Sequence, residues 1–273
     1  MNEVVLINYA NNLFKKSQKI NSETGKHYGS FNKIISYHPN DIDSDFKTKN
    51  KKILKQKRGN GYWLWKPYFI KKTLESLNWG DFLFYCDSGS YFINPITDLI
   101  LLSLKKEQDI IPFESSHIEG EWTKRDAFIL MDCDEVKFHN TNQRLGGFIL
   151  IKKTPLSIKF VENWLDFAQD ERILTDMDNK SGIENFPDFK EHRHDQSIFS
   201  LLTKKYGFNA FRDPSQYGIP MKHLYPDSDY EQIVVLNRMR QDRVYIRIKK
   251  YLQKKKQILK KWFAYRNFKK GEV

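Results

Sequence analysis

The segment FYCDSGSYF, residues 84–92, ends an apolar run with a single carboxylate. Asp87 follows the run, and the small residues Ser88 and Gly89 come next. Ligands of open α/β sheets bind beyond the carboxyl ends of the strands. A carboxylate there can hold Mg²⁺ or Mn²⁺ against a diphosphate, and a glycine permits close approach to the backbone. The same residues also suit a plain turn, so composition leaves both interpretations open.

The segment RGNGYWLWKPYFI, residues 58–70, combines five aromatic side chains with one lysine. Trp63 could stack on a base or a sugar, and Lys66 could pair with a phosphate or a sugar hydroxyl. Alternatively, Trp63, Trp65 and Tyr68 simply pack a helix onto the sheet. The two glycines beside Asn60 are too generic to indicate a phosphate-binding loop.

The segment EHRHDQSIFSLL, residues 191–202, places titratable residues at the start of a helix. Asp195 suits the N-cap position, and helix N-termini attract anions. The alternative is a cap alone, with His192, Arg193 and His194 in solvent. The two histidines are two residues apart, so they lack the spacing of a paired metal site on a helix.

Apolar runs and chain breakers predict the elements that position these residues. The predicted strands are 4–8, 33–37, 81–86, 109–113 and 146–153. The predicted helices are 47–56, 62–77, 95–106, 157–170 and 195–205. Residues 114–124 are predicted to form a loop. Strands that alternate with helices favour an α/β domain with a mostly parallel central sheet.

The basic charge of the chain is confined to one segment. Residues 238–273 hold fourteen of the 46 Lys and Arg residues and two of the 34 acidic residues, which accounts for the whole net charge of +12. Residues 1–237 are therefore neutral overall. This contrast predicts a large globular domain over 1–237 and a basic tail over 238–273.

Cysteine usage and hydropathy predict an intracellular protein. Cys86 and Cys133 each lie in or beside an apolar segment, which predicts two buried free thiols, and there is no CxxC pair. No apolar run approaches the length of about 18 residues that indicates a membrane span. Residues 1–12 do not combine a charged leader with a long apolar stretch.

Four segments in order carry a resemblance to a known family. They are RGNGYWLWKPY (58–68), YCDSG (85–89), WTKRDAF (122–128) and RHDQSIFSLL (193–202). Over residues 3–237 the chain resembles GT-A glycosyltransferases, in particular the bacterial and viral enzymes of capsule or lipopolysaccharide synthesis. It is more distantly similar to the glycogenin-like retaining glycosyltransferases. The resemblance implies a Rossmann-like sheet flanked by helices.

The resemblance also implies a reaction and a set of site residues. A hexosyltransferase-like enzyme would move a sugar from a nucleotide sugar, a UDP-sugar ahead of others, to a glycan or glycolipid hydroxyl. The implied catalytic residues are Asp195 and Gln196, near the donor sugar. The implied donor-binding residues are Tyr9 near the base, Trp63, Lys66, Asp87, Ser88, Gly89 and Gly147.

The chain departs from the family pattern at Gly89, which stands where the second aspartate of Asp-x-Asp is expected. The implied Mn²⁺ or Mg²⁺ would then have Asp87 as its carboxylate ligand and would bind more weakly or recruit another ligand. His223 and Asp227 are late-chain candidates for that place. Similarity to retaining enzymes at residues 195–196 hints at retention of configuration.

The acceptor side of the reaction is less defined by the sequence. An acceptor hydroxyl can require a general base, and Asp126, Asp132 and Asp134 are equal candidates. The residues of 121–125 resemble an acceptor-side or lid loop.

The tail suggests a partner of its own. Residues 243–268 place an apolar set near one helical face, with Lys and Arg on the others; the set is Val244, Ile248, Tyr251, Leu252, Leu259, Trp262 and Phe263. A basic amphipathic helix suits an anionic membrane, at about 1 kcal/mol per basic residue. This predicts a cytoplasmic protein, peripheral on the cytoplasmic face of the membrane. Nucleic-acid contact and a helix packed on the domain are the alternatives, and the neutral body argues against nucleic acid.

Three hypotheses therefore stand on the sequence. The first is a nucleotide-sugar-dependent glycosyltransferase. The second is a non-catalytic protein that binds a membrane or nucleic acid through its basic tail. The third is an inactive relative of the enzyme, which Gly89 keeps open.

Overall fold

The structure is a computed structural model that describes residues 2–237. The basic helix predicted for residues 243–268 lies outside the described residues. The rest of the predicted tail, residues 238–273, lies outside them as well. No helix within 2–237 is long and apolar enough to cross a membrane.

The secondary structure alternates between short strands and helices. The strands are β1 Val4–Tyr9, β2 Lys33–Tyr37, β3 Phe82–Cys86, β4 Ser90–Phe92, β5 Ile110–Ile111, β6 Glu114–Ile118, β7 Asn142–Arg144, β8 Phe148–Lys152 and β9 Val234–Leu236. The helices are α1 Lys15–Tyr28, α2 Ser44–Lys49, α3 Lys51–Leu54, α4 Gly59–Tyr62, α5 Trp65–Ser76, α6 Thr97–Lys105, α7 Glu119–Trp122, α8 Arg125–Leu130, α9 Val136–His139, α10 Pro155–Ala168, α11 Glu171–Leu174 and α12 Asp195–Lys205. Two 3₁₀ helices span Pro39–Asp41 and Ile219–Leu224.

A five-stranded sheet in the order β2-β1-β3-β8-β5 forms the centre of the fold. β1 is parallel to both of its neighbours, whereas β8 is antiparallel to β3 and to β5. Four of the five strands therefore run the same way. Because β8 is reversed, its first residue Phe148 pairs with Cys86, the last residue of β3. The residues that precede β8 thus lie beside the residues that follow β3.

Side chains of the sheet alternate between two apolar cores, as the period of two along a strand requires. Val5 and Ile7 face the core that contains Trp164 of α10, and Leu6 and Phe84 face the core that contains Leu99 of α6. Both faces of the sheet are therefore covered, as expected for a largely parallel sheet. Cys86 and Cys133 are buried and free, which confirms the prediction for both thiols.

Four predicted elements differ from the structure. The strand predicted for 109–113 is reduced to β5, Ile110–Ile111. The helix predicted for 47–56 is divided into α2 and α3 at Asn50. The helix predicted for 62–77 begins only at Trp65, after a distorted turn. Residues 114–124 are not a plain loop, because β6 pairs with β7 in a separate two-stranded sheet.

Candidate active site

Asp87 directly follows β3 at the carboxyl edge of the sheet, beside the end of β1. Its backbone N–H donates to the Gly147 carbonyl at 2.9 Å, and the Tyr85 hydroxyl donates to Asp87 Oδ1 at 2.5 Å. Burial and the nearby Asp87 charge raise the pKa of Tyr85 well above its usual value, so Tyr85 remains a donor. The Asp87 side chain is 42% exposed, so a ligand can reach this carboxylate from solvent.

The turn interpretation of this segment is also correct, because the Ser90 N–H donates to the Asp87 carbonyl at 3.0 Å. Ser88 Oγ donates to the Tyr9 carbonyl at 2.6 Å and so joins the ends of β1 and β3. Gly89 lies within the turn. The turn and the ligand-binding interpretation are therefore compatible.

Lys66 is buried in the first turn of α5 and joins the two predicted carboxylates. Its Nζ lies 2.5 Å from Asp195 Oδ2 and 3.9 Å from Asp87 Oδ1. The same atom donates to the Gly146 carbonyl at 2.8 Å. Residues from three separate segments are thus brought to one point at the edge of the sheet.

Asp195 is the first residue of α12, and His194 occupies the N-cap position. The prediction of Asp195 as the N-cap is therefore wrong, because its side chain pairs with Lys66 instead. Burial raises the pKa of Asp195 to about 6; the Lys66 charge opposes this rise and the Asp87 charge adds to it. The carboxylate is therefore ionised at pH 7, about one pH unit above its pKa.

Gln196, in α12, forms hydrogen bonds with residues that precede β8. The Gly146 N–H donates to Gln196 Oε1 at 3.0 Å, and Gln196 Nε2 donates to Gln143 Oε1 at 2.7 Å. A Cβ atom added to Gly146 would lie 3.1 Å from Gln196 Cβ, and one added to Gly147 would lie 3.3 Å from Asp87 Oδ2. A side chain at either position would therefore press on Gln196 or Asp87, which would have to move by a few tenths of an ångström.

A buried polar network behind the site was missed by the sequence reasoning. Glu119 is fully buried and accepts hydrogen bonds from Thr123 Oγ1 at 2.7 Å and from Gln143 Nε2 at 3.1 Å. It also pairs with Lys204 Nζ at 2.5 Å. Through Gln143 this network reaches Gln196. The only signal in the sequence was a glutamate within a segment predicted to be a loop.

Tyr9 and Trp63 both lie beside the site but contact protein groups. The Tyr9 ring is buried and stacks on Trp65, with ring centroids 3.7 Å apart, and Asn60 Nδ2 donates to its hydroxyl. Trp63 is half-buried and stacks on His194, with centroids 5.4 Å apart and an interplanar angle of 17°. The packing interpretation therefore holds for Trp65 and Tyr68, which are both buried in the core.

Backbone strain is concentrated next to Lys66 and Asp195. Residues 59–63 all have positive φ, from 51° at Tyr62 to 93° at Gly61. His194 has φ 53° and ψ −120°, a region that residues with a side chain rarely adopt. Such residues persist only where the surrounding structure enforces them, and they cluster at functional sites.

The solvated interpretation of residues 192–194 is wrong for both histidines, which are buried. Burial lowers the pKa of His192 well below its usual value. Burial likewise lowers the pKa of His194, to about 4. Both imidazoles are therefore neutral at pH 7.

The aspartates proposed as general bases have other contacts. Asp126 accepts hydrogen bonds from the backbone N–H groups of Lys180 and Ser181, at 2.6 and 3.1 Å. Asp134 pairs with Arg125, and Asp132 is 96% exposed beside Lys205. None of these contacts involves Lys66, Asp87 or Asp195.

The predicted lid loop is held firmly, because Lys124 Nζ is buried and donates to the carbonyls of Thr175 and Met177 at 2.9 Å each. Among residues 2–237 there is no group of three or more His, Cys, Asp or Glu side chains that could hold a metal ion. Asp227 pairs instead with Lys106, at 2.8 Å. Asp87 alone still fits Mg²⁺, which commonly uses one or two carboxylates together with substrate phosphates and water.

No protein-family model and no curated protein sequence matches the chain. Solved structures do match. The apo structure of the bifunctional glycosyltransferase WbbM has a TM-score of 0.50 and 10% sequence identity, over 88% of this chain and 46% of that one. The apo crystal structure of mouse xyloside xylosyltransferase 1 has a TM-score of 0.47 and 10% identity, over 87% of this chain and 97% of that one.

The chain therefore shares its fold with part of WbbM, over 88% of its own length. The chain spans less than half the length of WbbM. At 10% identity the similarity concerns the fold.

Proposed function

We propose that the protein is a nucleotide-sugar-dependent glycosyltransferase. The observation that carries this proposal is the placement of Lys66 between Asp87 and Asp195 at the edge of a glycosyltransferase-type sheet. Lys66 lies between an exposed carboxylate, Asp87, and a buried carboxylate, Asp195. A diphosphate would bind beside Asp87, and the sugar would bind beside Asp195.

The reaction breaks the bond between the anomeric carbon and the diphosphate, joins that carbon to an acceptor hydroxyl oxygen, and releases the hydroxyl proton. Negative charge grows on the leaving diphosphate, and positive charge grows on the sugar. Lys66, fixed by the Gly146 carbonyl, is prepared to stabilise the first charge, and ionised Asp195 the second. A Mg²⁺ or Mn²⁺ ion on Asp87 would add Lewis-acid stabilisation of the diphosphate.

The finer parts of the proposal rest on the ordered sequence segments. A UDP-sugar is the proposed donor, and a glycan or glycolipid of surface polysaccharide synthesis is the proposed acceptor. The basic tail, residues 238–273, is proposed to hold the enzyme on the anionic cytoplasmic face of a membrane.

Replacing Asp87 with asparagine is expected to abolish metal-dependent nucleotide binding. The amide keeps the acceptor for Tyr85 but loses the charge that holds a cation, so affinity should fall at least about thirtyfold, which is about 2 kcal/mol. Calorimetric titration of UDP and GDP, with and without Mn²⁺, measures this loss. Asp188→Asn, at an exposed position, is the matched control. If folded wild-type protein binds no nucleotide, the proposed function is wrong.

Full-length protein is expected to sediment with vesicles that contain phosphatidylserine but not with vesicles of phosphatidylcholine alone. Binding should weaken strongly as salt rises from about 0.1 to 0.5 M, since screening shortens the reach of the tail charges. Equal binding to both kinds of vesicle would contradict an electrostatic role for residues 238–273. Vesicle binding without nucleotide binding would favour the non-catalytic alternative.

A further inference from the structure

Gln143 is a fully buried amide in the middle of β7. Its Nε2 lies 3.1 Å from Glu119 Oε1 and 3.4 Å from the Trp122 carbonyl oxygen. The hydroxyls of Thr123 and Ser197 lie 3.2 Å from the same nitrogen, and hydroxyls can donate or accept. Because solvent does not reach this amide, its orientation depends on these neighbours and on the partner of its oxygen.

The neighbours of Gln143 allow only one orientation of its amide. Glu119 is paired with Lys204 Nζ at 2.5 Å, so its carboxylate accepts hydrogen bonds and cannot donate them. The Trp122 carbonyl likewise can only accept. If the Gln143 amide were reversed, its oxygen would face both of these acceptors. The NH₂ group therefore points to Glu119, and the Gln143 oxygen accepts from Gln196 Nε2 at 2.7 Å.

The same direction is imposed from the other end of this chain of hydrogen bonds. The Gly146 N–H can only donate, and it lies 3.0 Å from Gln196 Oε1. Gln196 must therefore present its oxygen to Gly146 and its NH₂ group to Gln143. A group that only accepts, Glu119, and a group that only donates, the Gly146 N–H, thus fix the two amides that lie between them.

The outer end of this chain of hydrogen bonds lies at the candidate active site. Gln196 is half-buried and directly follows Asp195, whereas Gln143 is fully buried. The residue that Gln196 restrains, Gly146, also holds Lys66 Nζ through its carbonyl, at 2.8 Å. Movement of the Gln143 amide would therefore disturb both the Gln196 side chain and the Lys66 ammonium.

We propose that Gln143 is a positioning residue for glycosyl transfer: it fixes the amide orientation of Gln196 and, through Gly146, the position of Lys66. This role deepens the proposed function and rests on it. Gln143 itself is buried behind Gln196, so it acts through that residue and not on the substrate. Its loss should therefore lower the rate of the reaction more than it weakens donor binding.

Hydrogen exchange at the Gly146 N–H, followed by NMR, tests the fixed orientation without any ligand. Gln143→Met keeps a side chain of similar length but removes the amide, so Gln196 loses its partner and Gly146 should exchange about tenfold faster. Gln108→Met is the matched control, because Gln108 is also buried and its amide bonds to two backbone carbonyls and one backbone N–H. The control should leave exchange at Gly146 unchanged. Equal effects of the two substitutions would overturn the proposal.

Interchanging the two buried side chains tests the direction of the hydrogen bonds. In Gln143→Glu two carboxylates face each other, so the Gly146 N–H should again exchange faster than in wild type. In the double variant Glu119→Gln/Gln143→Glu, the amide at 119 can donate to the carboxylate at 143, which can still accept from Gln196. Protection of Gly146 should then return toward the wild-type value. A double variant no better protected than Gln143→Glu would show that the proposed direction is wrong.

Hydrolysis of the donor tests the positioning role itself. With water as the acceptor, the bond between the anomeric carbon and the diphosphate of UDP-glucose or GDP-mannose breaks, and the products are free sugar, nucleoside diphosphate and a proton. For the donor that is hydrolysed, kcat should fall about tenfold in Gln143→Met and KM should rise about twofold at most, whereas Gln108→Met should change neither.

The two measurements separate the possible failures. Faster exchange at Gly146 with an unchanged kcat would overturn the positioning role and leave Gln143 a structural residue. Wild-type protein that binds no nucleotide would overturn the proposed function, and exchange at Gly146 would still decide whether Gln143 fixes the orientation of Gln196.

Discussion

The free energy of unfolding of an Asp195→Asn variant is expected to increase relative to that of the wild type as the pH rises from 4 to 7. The folded-state pKa of Asp195 is about 6, above the usual value of 3.8, because burial disfavours the charge. The stability that this carboxyl contributes is complete below its unfolded-state pKa and is lost as the pH rises through 6. Asparagine does not titrate, so the stability difference should change by about 2 kcal/mol over this interval.

Urea unfolding of both proteins at pH 4, 5, 6 and 7 measures this change. A constant offset from the altered contact with Lys66 does not affect the result, because only the slope with pH is compared. Asp132→Asn, on an exposed side chain, should show a much smaller slope. A flat difference for Asp195→Asn would mean that this carboxyl is not buried as described. If the difference changes in the expected direction, ionisation of Asp195 lowers the stability of the fold at neutral pH. Retention of a destabilising ionised group is typical of a residue kept for function.

Replacing Glu119 with glutamine is expected to destabilise the protein by about 3–5 kcal/mol. The substitution leaves Lys204 buried without the carboxylate that lies 2.5 Å from its Nζ. Burial already lowers the pKa of Lys204, so loss of the partner leaves the ammonium uncompensated. Chemical denaturation measures the loss, and the double variant Glu119→Gln/Lys204→Met should recover most of it.

Glu23→Gln provides the matched control for Glu119→Gln. Its ion pair with Lys19 spans 3.7 Å between exposed side chains one helical turn apart, so the change should stay within about 0.5 kcal/mol. An equal effect of the two substitutions would show that burial of Glu119 does not matter. Because Gln143 joins Glu119 to Gln196, nucleotide binding should also weaken in Glu119→Gln but not in Glu23→Gln.

Strands of the central sheet were predictable because both faces of the sheet are buried, so that each strand is a continuous run of apolar residues. β2 spans the predicted residues 33–37, and β3 differs from its prediction by one residue. α1 was missed for the opposite reason. Its buried residues are polar or small, namely Ser17, Gln18, Asn21, Thr24 and Gly25, so no hydrophobic period marks it. A Cβ on Gly25 would lie 2.6 Å from Leu6 Cδ2, which shows how closely this helix approaches the sheet.

Within the candidate site, sequence motifs identified the charged residues but not their partners. Asp87, Lys66 and Asp195 were recognised because each lies in a segment with a family resemblance. Their mutual contacts depend on the sheet order and on the reversed strand β8, which no local pattern encodes. Glu119 was missed because a single glutamate in a polar segment looks solvated. His194 was misjudged for the same reason, since its neighbours are polar in sequence while its surroundings are aromatic in space.

The reversed strand β8 has a consequence for mutational robustness. The Gly146 carbonyl holds Lys66, and the Gly147 carbonyl holds the Asp87 N–H. Both anchors are main-chain groups, so replacing a side chain elsewhere cannot remove them while the pairing of β8 with β3 persists. Two of the contacts that shape this site are thus encoded by strand direction, and they can survive extensive sequence drift in the residues around them.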